Sequence, residues 1–137
     1  MAVLEQGVWY PNKDASELTA EDQFALPSQI EAGRYHLYMS LACPFAHRPY
    51  LVIKYLGLDE VISISSVAVK RYSNGWEFDS AHPDPLYRAD NLAALYAKAK
   101  SDYTGRVTVP LLWDKQNHAI VGNDCLLYTS DAADEWI

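Results

Sequence analysis

The feature that most constrains the fold is a strand, a helix and a second strand in direct succession. Residues 35–40 alternate large apolar with more polar side chains, a pattern typical of a strand. Residues 45–56 continue with apolar side chains and stop at Gly57, and Pro44 occupies the first helical position, where proline is well tolerated, so a helix is predicted. Residues 61–67 are rich in β-branched side chains and predict the second strand. Such units are nearly always right-handed with parallel strands, so these two strands are predicted to be parallel.

Three further elements complete the predicted order. Residues 70–88 are predicted to form a loop. Residues 89–100, which follow it, carry apolar side chains at helical spacing and predict a helix. Residues 106–113 and 118–121, joined by a polar turn, predict a hairpin. This order, with a proline at the entry of the third strand, is the α/β layout of a thioredoxin-like fold: a mixed four-stranded sheet with flanking helices. The third helix that closes such a sheet should begin near Asp124.

The pattern divides the chain into three parts. Residues 1–33 are polar and irregular and predict an extended N-terminal arm. Residues 34–124 predict the thioredoxin-like domain, and residues 125–137 are set apart as a tail because residues 125–135 resemble a translated sequencing adapter. Half of the 137 residues are hydrophobic, which suffices for one compact domain with a core.

Charge and histidine spacing exclude several classes of function. The formal net charge of −7, from 11 basic and 18 acidic residues, argues against nucleic-acid and membrane partners. Residues 1–10 show neither a signal peptide nor a spanning helix, so we expect a cytoplasmic protein. The four histidines lack the short spacings of metal ligands, and no metal site is predicted.

Cys43 is the predicted chemical centre, because it lies between the first predicted strand and the first predicted helix. There its sulfur is near the first unpaired N–H groups of the helix, whose partial positive charge favours the nucleophilic thiolate. Ala46 occupies the position of the second cysteine in a dithiol oxidoreductase, so a monothiol mechanism is expected. An inert buried cysteine remains the alternative. A disulfide with Cys125 is disfavoured, since no secretion signal is present.

Five motifs in the expected order resemble the glutathionyl-hydroquinone reductases, the Xi-class relatives of the glutathione transferases. They are GRYHLY at 33–38, LACPFAHR at 41–48, NGW at 74–76, PDPLY at 83–87 and RVTVPLLWD at 106–114. The resemblance implies glutathione-dependent reduction of glutathionyl-hydroquinones to hydroquinones through a Cys43–glutathione mixed disulfide, with release of oxidised glutathione. It also implies glutathione as co-substrate and a homodimer for the full-length parent.

The resemblance also implies a set of glutathione-binding residues. Val109 and Pro110 look like the cis-proline turn of thioredoxin-like folds, at which Val109 binds the cysteinyl backbone of glutathione. The implied set is Trp76, Arg106, Val107, Thr108, Val109, Pro110 and Asp124. From the residues alone two alternatives stay open: a trans Pro110 that merely starts a strand, and a Trp76 that is a core or rim residue.

The chain departs from the family at residues 124 and 125. The family has a Glu-Ser pair there, which holds the γ-glutamyl end of glutathione, whereas this chain has Asp124 and Cys125. Asp124 keeps the charge on a shorter side chain, but Cys125 is a poor replacement for the serine donor. Residues 125–135 resemble the in-frame translation of a transposase-type sequencing adapter. We therefore expect residues 125–137 to be non-native read-through, and the third helix and C-terminal all-α domain to be missing.

Two other functions stay open at this point. An omega-like glutathione transferase with thiol-transferase or dehydroascorbate reductase activity shares the CPFA motif, although residues 74–76 and 106–114 favour the hydroquinone reductases. The other is a non-catalytic glutathione-transferase-like module used for assembly, against which Cys43 and the Val109-Pro110 pair count. No measurable turnover is expected from the truncated chain, because half of the site is absent.

Overall fold

The computed structural model describes residues 3–18, 31–68, 71–72 and 75–123. In chain order its strands and α-helices are β1 Val3–Glu5, β2 Val8–Tyr10, β3 Tyr35–Met39, α1 Pro44–Tyr55, β4 Ile62–Ser66, β5 Arg71–Tyr72, β6 Gly75–Trp76, α2 Leu92–Ala99, β7 Gly105–Arg106, β8 Leu111–Asp114 and β9 Ala119–Gly122. These residues form two compact units. The sheet unit comprises residues 31–66 and 109–123, and the hairpin unit comprises residues 3–18, 67–68, 71–72 and 75–108.

The sheet unit is built on a mixed four-stranded sheet in the order β4-β3-β8-β9. β3 and β4 are parallel, from Tyr35 opposite Ile62 to Met39 opposite Ser66, and α1 connects them. β8 is antiparallel to both of its neighbours, β3 and β9. The mixed sheet of the thioredoxin-like fold and its parallel first pair are thus confirmed.

The two central strands of this sheet form its core. Every residue of β3 and of β8 is buried, and Leu37, Leu111 and Trp113 have no exposed surface. Such near-continuous burial is expected of strands covered on both faces. Ile53 of α1, which is 4% exposed, adds to the buried apolar set.

A bidentate ion pair stands at one end of the β3–β8 pair. Arg34 donates from Nε to Asp114 Oδ1 at 2.9 Å and from Nη2 to Oδ2 at 2.7 Å. The Lys115 N–H donates to the Arg34 carbonyl at 2.9 Å, and Asp114 also accepts from the Gln116 N–H in the turn before β9. The Arg34 hydrogen bonds hold the pKa of Asp114 below its usual range, because they favour the charged carboxylate.

The hairpin unit contains a three-stranded antiparallel sheet in the order β2-β1-β7. Val3 lies between Tyr10 on one side and Arg106 on the other, and is fully buried. The irregular structure predicted for residues 1–33 was therefore wrong for residues 3–10. A distant strand, β7, fixes β1, and local sequence patterns do not indicate such a partner. The domain boundary at residue 33 stays a prediction.

Two predicted elements have different bounds from those expected. α2 begins later than residue 89, because the Asn91 side chain caps it by accepting the Ala94 N–H at 2.9 Å. The hairpin predicted from residues 106–113 and 118–121 is confirmed by the antiparallel pair of β8 and β9, but its first strand begins at Leu111 and not at residue 106. β7 pairs with β1 in the hairpin unit, β8 pairs with β3 in the sheet unit, and residues 107–110 belong to no strand.

Residues 124–137 lie outside the described residues. Asp124, the start of a third helix and the adapter-like tail therefore stay predictions. Within the described ranges, no helix is both long and apolar enough to cross a membrane.

Gly7→Ala is expected to destabilise the hairpin unit. Gly7 has a φ of +78°, and an added Cβ would overlap the Ser101 carbonyl oxygen, while the Gly7 N–H is held by the Tyr103 carbonyl at 2.9 Å. Gly33→Ala is a matched control, because Gly33 has the same φ but no atom of the described residues within 4 Å of an added Cβ. The control should cost about 1 kcal/mol through backbone strain, and Gly7→Ala clearly more. Thermal unfolding followed by circular dichroism measures both, and equal losses would contradict the steric argument.

Asp114→Asn is expected to flatten the acid side of the stability profile. Since the folded chain lowers the Asp114 pKa, its stabilisation is complete above the ordinary aspartate pKa of about 4 and is lost as the pH falls through the lowered value. Urea unfolding at pH 7, 5, 4 and 3 should show a shallower acid decline in the variant than in the wild type. Asp59→Asn is the control, because the Asp59–Lys54 pair is solvent-exposed and screened. An unchanged acid decline in Asp114→Asn would refute this assignment.

Candidate active site

Cys43 lies at the boundary between β3 and α1, as predicted. It is the N-cap residue of α1, with an extended backbone (φ −107°, ψ 115°), and Pro44 follows in the first turn. The Cys43 N–H donates to the Ser40 carbonyl at 3.2 Å, and the Ala42 N–H donates to the Ser40 hydroxyl at 3.1 Å. Because Ser40 has no exposed surface, the turn that carries Cys43 is anchored at the end of β3.

The Cys43 side chain is half-buried, and its thiol is free of any disulfide among the described residues. It makes no cap hydrogen bond to the helix, and the first turn of α1 contains no acidic residue. The sulfur therefore lies at the positive end of a 12-residue helix, with access to solvent. This exposure counts against the alternative of an inert, buried cysteine.

Val109 and Pro110 lie at the same end of the sheet as Cys43. The peptide bond between them is cis, as predicted, and the alternative of a trans Pro110 was wrong. The antiparallel β3–β8 register places Tyr38 opposite Leu111. The next residue of β3 toward Cys43 therefore lies opposite Pro110. Val109 is 4% exposed. The sheet unit thus brings three of the predicted site residues to one end of its central strands.

Three further predicted residues, Arg106, Val107 and Thr108, belong to the hairpin unit. Arg106 is the last residue of β7, and its side chain is exposed. Val107 is buried and Thr108 is half-buried. Thr108 immediately precedes Val109, so this loop continues along the chain into the cis-proline turn.

Trp76 also belongs to the hairpin unit, in β6. The Phe78 N–H donates to the Asp90 carbonyl at 3.0 Å, which ties the chain after β6 to the residues before α2. The ring of Trp9 packs on Gly75, where an added Cβ would lie 2.9 Å from the indole. Trp76 is 8% exposed, in keeping with the alternative of a core residue, and its role toward glutathione stays a prediction.

The predicted residues therefore fall into two sets, joined along the chain at the peptide bond between Thr108 and Val109. The set in the sheet unit is Cys43, Val109 and Pro110; the set in the hairpin unit is Trp76, Arg106, Val107 and Thr108. Asp124 lies outside the described residues.

Sequence reasoning missed two tyrosines beside this loop. The Tyr96 hydroxyl donates to the Thr108 carbonyl at 2.9 Å, and the Tyr103 hydroxyl donates to the Arg106 carbonyl at 2.7 Å. Helical spacing explains Tyr96 only as a core residue. The signal in the sequence was a tyrosine, rather than a phenylalanine, at a buried position. A buried tyrosine hydroxyl needs a hydrogen-bond partner, which a phenylalanine would not.

His36 connects two neighbouring strands of the sheet. His36 is 2% exposed, and its ring nitrogens lie 2.6 Å from the Ser63 hydroxyl and 2.8 Å from the Ser65 hydroxyl, both on β4. Over the described residues, no group of three or more His, Cys, Asp or Glu side chains could hold a metal ion.

Comparison with known sequences identifies the family. Residues 42–127 match the family described as the N-terminal domain of glutathione S-transferase. The chain is 51% identical to the glutathionyl-hydroquinone reductase YqjG of Escherichia coli (69% of this chain, 30% of the relative). It is 46% identical to the glutathionyl-hydroquinone reductase PcpF of Sphingobium chlorophenolicum (90% and 44%) and 46% identical to the glutathione S-transferase omega-like 2 of Schizosaccharomyces pombe (70% and 32%). The chain spans less than half the length of these relatives.

Solved structures give the same assignment. A Xi-class glutathione transferase from Natrialba magadii superposes with a TM-score of 0.81 at 32% identity, over 98% of this chain and 46% of that one. Glutathione-bound YqjG from Escherichia coli K-12 superposes with a TM-score of 0.77 at 38% identity, over 92% and 43%. The resemblance to the Xi-class glutathionyl-hydroquinone reductases is therefore confirmed, and the chain belongs to the family of glutathione S-transferase N-terminal domains.

Proposed function

We propose that this chain provides the nucleophile and part of the glutathione site of a glutathionyl-hydroquinone reductase. The observation that carries the proposal is the free, half-buried Cys43 thiol at the N-cap of α1, at the sheet end that also holds Val109 and Pro110. The names of two relatives support the substrate class. A cytoplasmic location and a homodimeric full-length parent belong to the same proposal.

The proposed reaction has two steps. In the first, the Cys43 thiolate attacks the glutathione sulfur of the conjugate, an S–S bond forms, and the bond from sulfur to the aromatic carbon breaks. The electron pair of that bond goes to the ring carbon, which takes up a proton, so the hydroquinone leaves reduced. In the second, a glutathione thiolate attacks the mixed disulfide, and oxidised glutathione leaves while the Cys43 thiolate is restored.

The remaining residues bind glutathione in this proposal. The main chain of Val109 pairs with the cysteinyl backbone of glutathione, in the manner of a peptide added to a strand edge. The exposed guanidinium of Arg106 binds a glutathione carboxylate, for which its planar fork is suited. Trp76 packs against glutathione, and Asp124 holds the γ-glutamyl amino group. Val107, Thr108 and Pro110 supply the backbone of the loop.

An omega-like transferase is the second candidate, because the relative from Schizosaccharomyces pombe is named omega-like at 46% identity. It would use Cys43 in thiol transfer or in dehydroascorbate reduction. Parallel incubations of the purified full-length parent enzyme separate the two: one follows hydroquinone release from a glutathionyl-hydroquinone, the other ascorbate formation from dehydroascorbate and glutathione. Faster reaction with dehydroascorbate would reject the hydroquinone reductase in favour of this candidate.

Cys43→Ser is expected to abolish formation of a glutathione adduct. Wild-type chain mixed with a glutathionyl-hydroquinone, without free glutathione, should gain the mass of one glutathionyl group by intact-mass spectrometry, with release of equimolar hydroquinone. Cys125→Ser is the matched control, because it removes the other cysteine of the chain and should keep the adduct. A wild-type chain that gains no adduct, or an adduct that persists in Cys43→Ser, would contradict the proposal.

Ala46→Cys is expected to prevent accumulation of the same adduct. Position 46 follows Cys43 at the spacing of a dithiol oxidoreductase, so the introduced thiol can attack the mixed disulfide and expel glutathione. The variant should therefore release hydroquinone as the wild type does but end as an internal disulfide, two hydrogens lighter than the reduced chain. Ala42→Cys, on the other side of Cys43, is the spacing control. A stable adduct in Ala46→Cys would contradict the premise that a thiol at position 46 can attack the mixed disulfide at Cys43.

A further inference from the structure

We infer that Tyr96 and Tyr103 are positioning residues for the loop of residues 106–108. The inference rests on the proposed function, since that function gives this loop its role in glutathione binding. Tyr96 lies on α2 and Tyr103 lies between α2 and β7. Their ring centroids are 4.9 Å apart, and the two residues are 0% and 1% exposed.

Both hydroxyl groups bond to the main chain of this loop. The Tyr103 hydroxyl donates to the Arg106 carbonyl at 2.7 Å. The Tyr96 hydroxyl donates to the Thr108 carbonyl at 2.9 Å and accepts the Thr108 N–H at 3.4 Å. Because only Val107 separates the two bonded residues, the hydroxyls fix this short segment at both of its ends.

Gly105 makes the Tyr103 contact sterically feasible. Its φ is +155°, and an added Cβ would lie 2.6 Å from the Tyr103 hydroxyl oxygen and 3.0 Å from the carbon that bears it. A side chain at this position would push the phenol away from the Arg106 carbonyl. Gly105 thus leaves the space that the Tyr103 hydroxyl occupies. A tyrosine buried only for its apolar ring would not need a glycine at this position.

Fixing the loop before binding favours glutathione affinity. A loop that offers main-chain groups to a peptide binds it more tightly when those groups are already ordered. The conformational entropy of the loop is then lost on folding and does not reduce the free energy of binding. Thr108, which Tyr96 holds by both its N–H and its carbonyl, directly precedes Val109, whose main chain pairs with glutathione in the proposed function. The tyrosines act through the loop, because both rings are buried and both hydroxyls bond to its main chain.

Tyr96→Phe and Tyr103→Phe test the inference, because each removes one hydroxyl and keeps the ring. The probe is S-methylglutathione, whose capped sulfur forms no disulfide with Cys43, and its Kd is measured by isothermal titration calorimetry on the 137-residue chain. Each variant is expected to raise the Kd about fivefold, the effect of losing one intramolecular hydrogen bond that orders the loop. Tyr96→Phe should also speed amide hydrogen exchange of Thr108, measured by NMR.

Tyr35→Phe is the matched control. Tyr35 is 1% exposed and lies at the end of β3 opposite Cys43, so the variant also loses a buried hydroxyl but leaves the loop intact. Its Kd should stay within about twofold of the wild-type Kd, which is a smaller change than the fivefold rise expected for each loop variant. Unchanged affinity in both loop variants, or equal loss in Tyr35→Phe, would overturn the inference while the proposed function stands. A wild-type chain that does not bind the probe would reject the proposed function, and the inference with it.

Discussion

The pairing of β3 with β8 determines where the reactive end of the sheet unit lies. Side chains alternate between the two faces of a strand, so a slip of one residue would exchange the side chains that pack on the two buried faces and shift Pro110 by about 3.3 Å relative to Cys43. The bidentate pair between Arg34 and Asp114 secures the register at the far end of these strands. A partly buried charge pair adds little net stability in many proteins, and its better-attested use is to specify one arrangement. The position of the thiol relative to the cis-proline turn therefore depends on charges at the opposite end of the sheet.

Buried polar groups in the described part of the chain are engaged in structure. The buried polar residues are His36, Ser40, Asp84, Thr104 and Asp114. Asp84, for example, accepts three backbone N–H groups of the loop before α2, at 3.0 to 3.2 Å, and Thr104 accepts the Gln6 N–H at 3.0 Å. Each bond offsets the cost of removing a polar group from water and gives a loop a defined path. The hydrophobic core supplies the bulk of the stability, and these few polar contacts fix the paths of the loops.

Local signals and the parallel pair of β3 and β4 were predictable from the sequence, whereas the pairing of β1 with β7 was not. The start of α1 at Pro44 depends on neighbouring residues, so both the helix and the N-cap position of Cys43 could be predicted. The start of α2 depends on one side chain, the Asn91 cap, which lies two positions after the predicted start. The pairing of Val3 with β7 and the break in the strand predicted over residues 106–113 depend on contacts that the tertiary fold creates. Likewise, the sequence gives no local reason for Tyr96 to meet Thr108.

The pairing of β1 with β7 also bears on the order of events during synthesis. β1 is the central strand of its sheet, yet its two partners are made at very different times: β2 follows after two residues, whereas β7 follows about 100 residues later. At a translation rate of about 5–20 residues per second, the first hairpin is synthesised roughly 5–20 s before its second partner. During that interval the apolar side chains of Val3 and Leu4 and one open strand edge are exposed, which is the situation that chaperones bind.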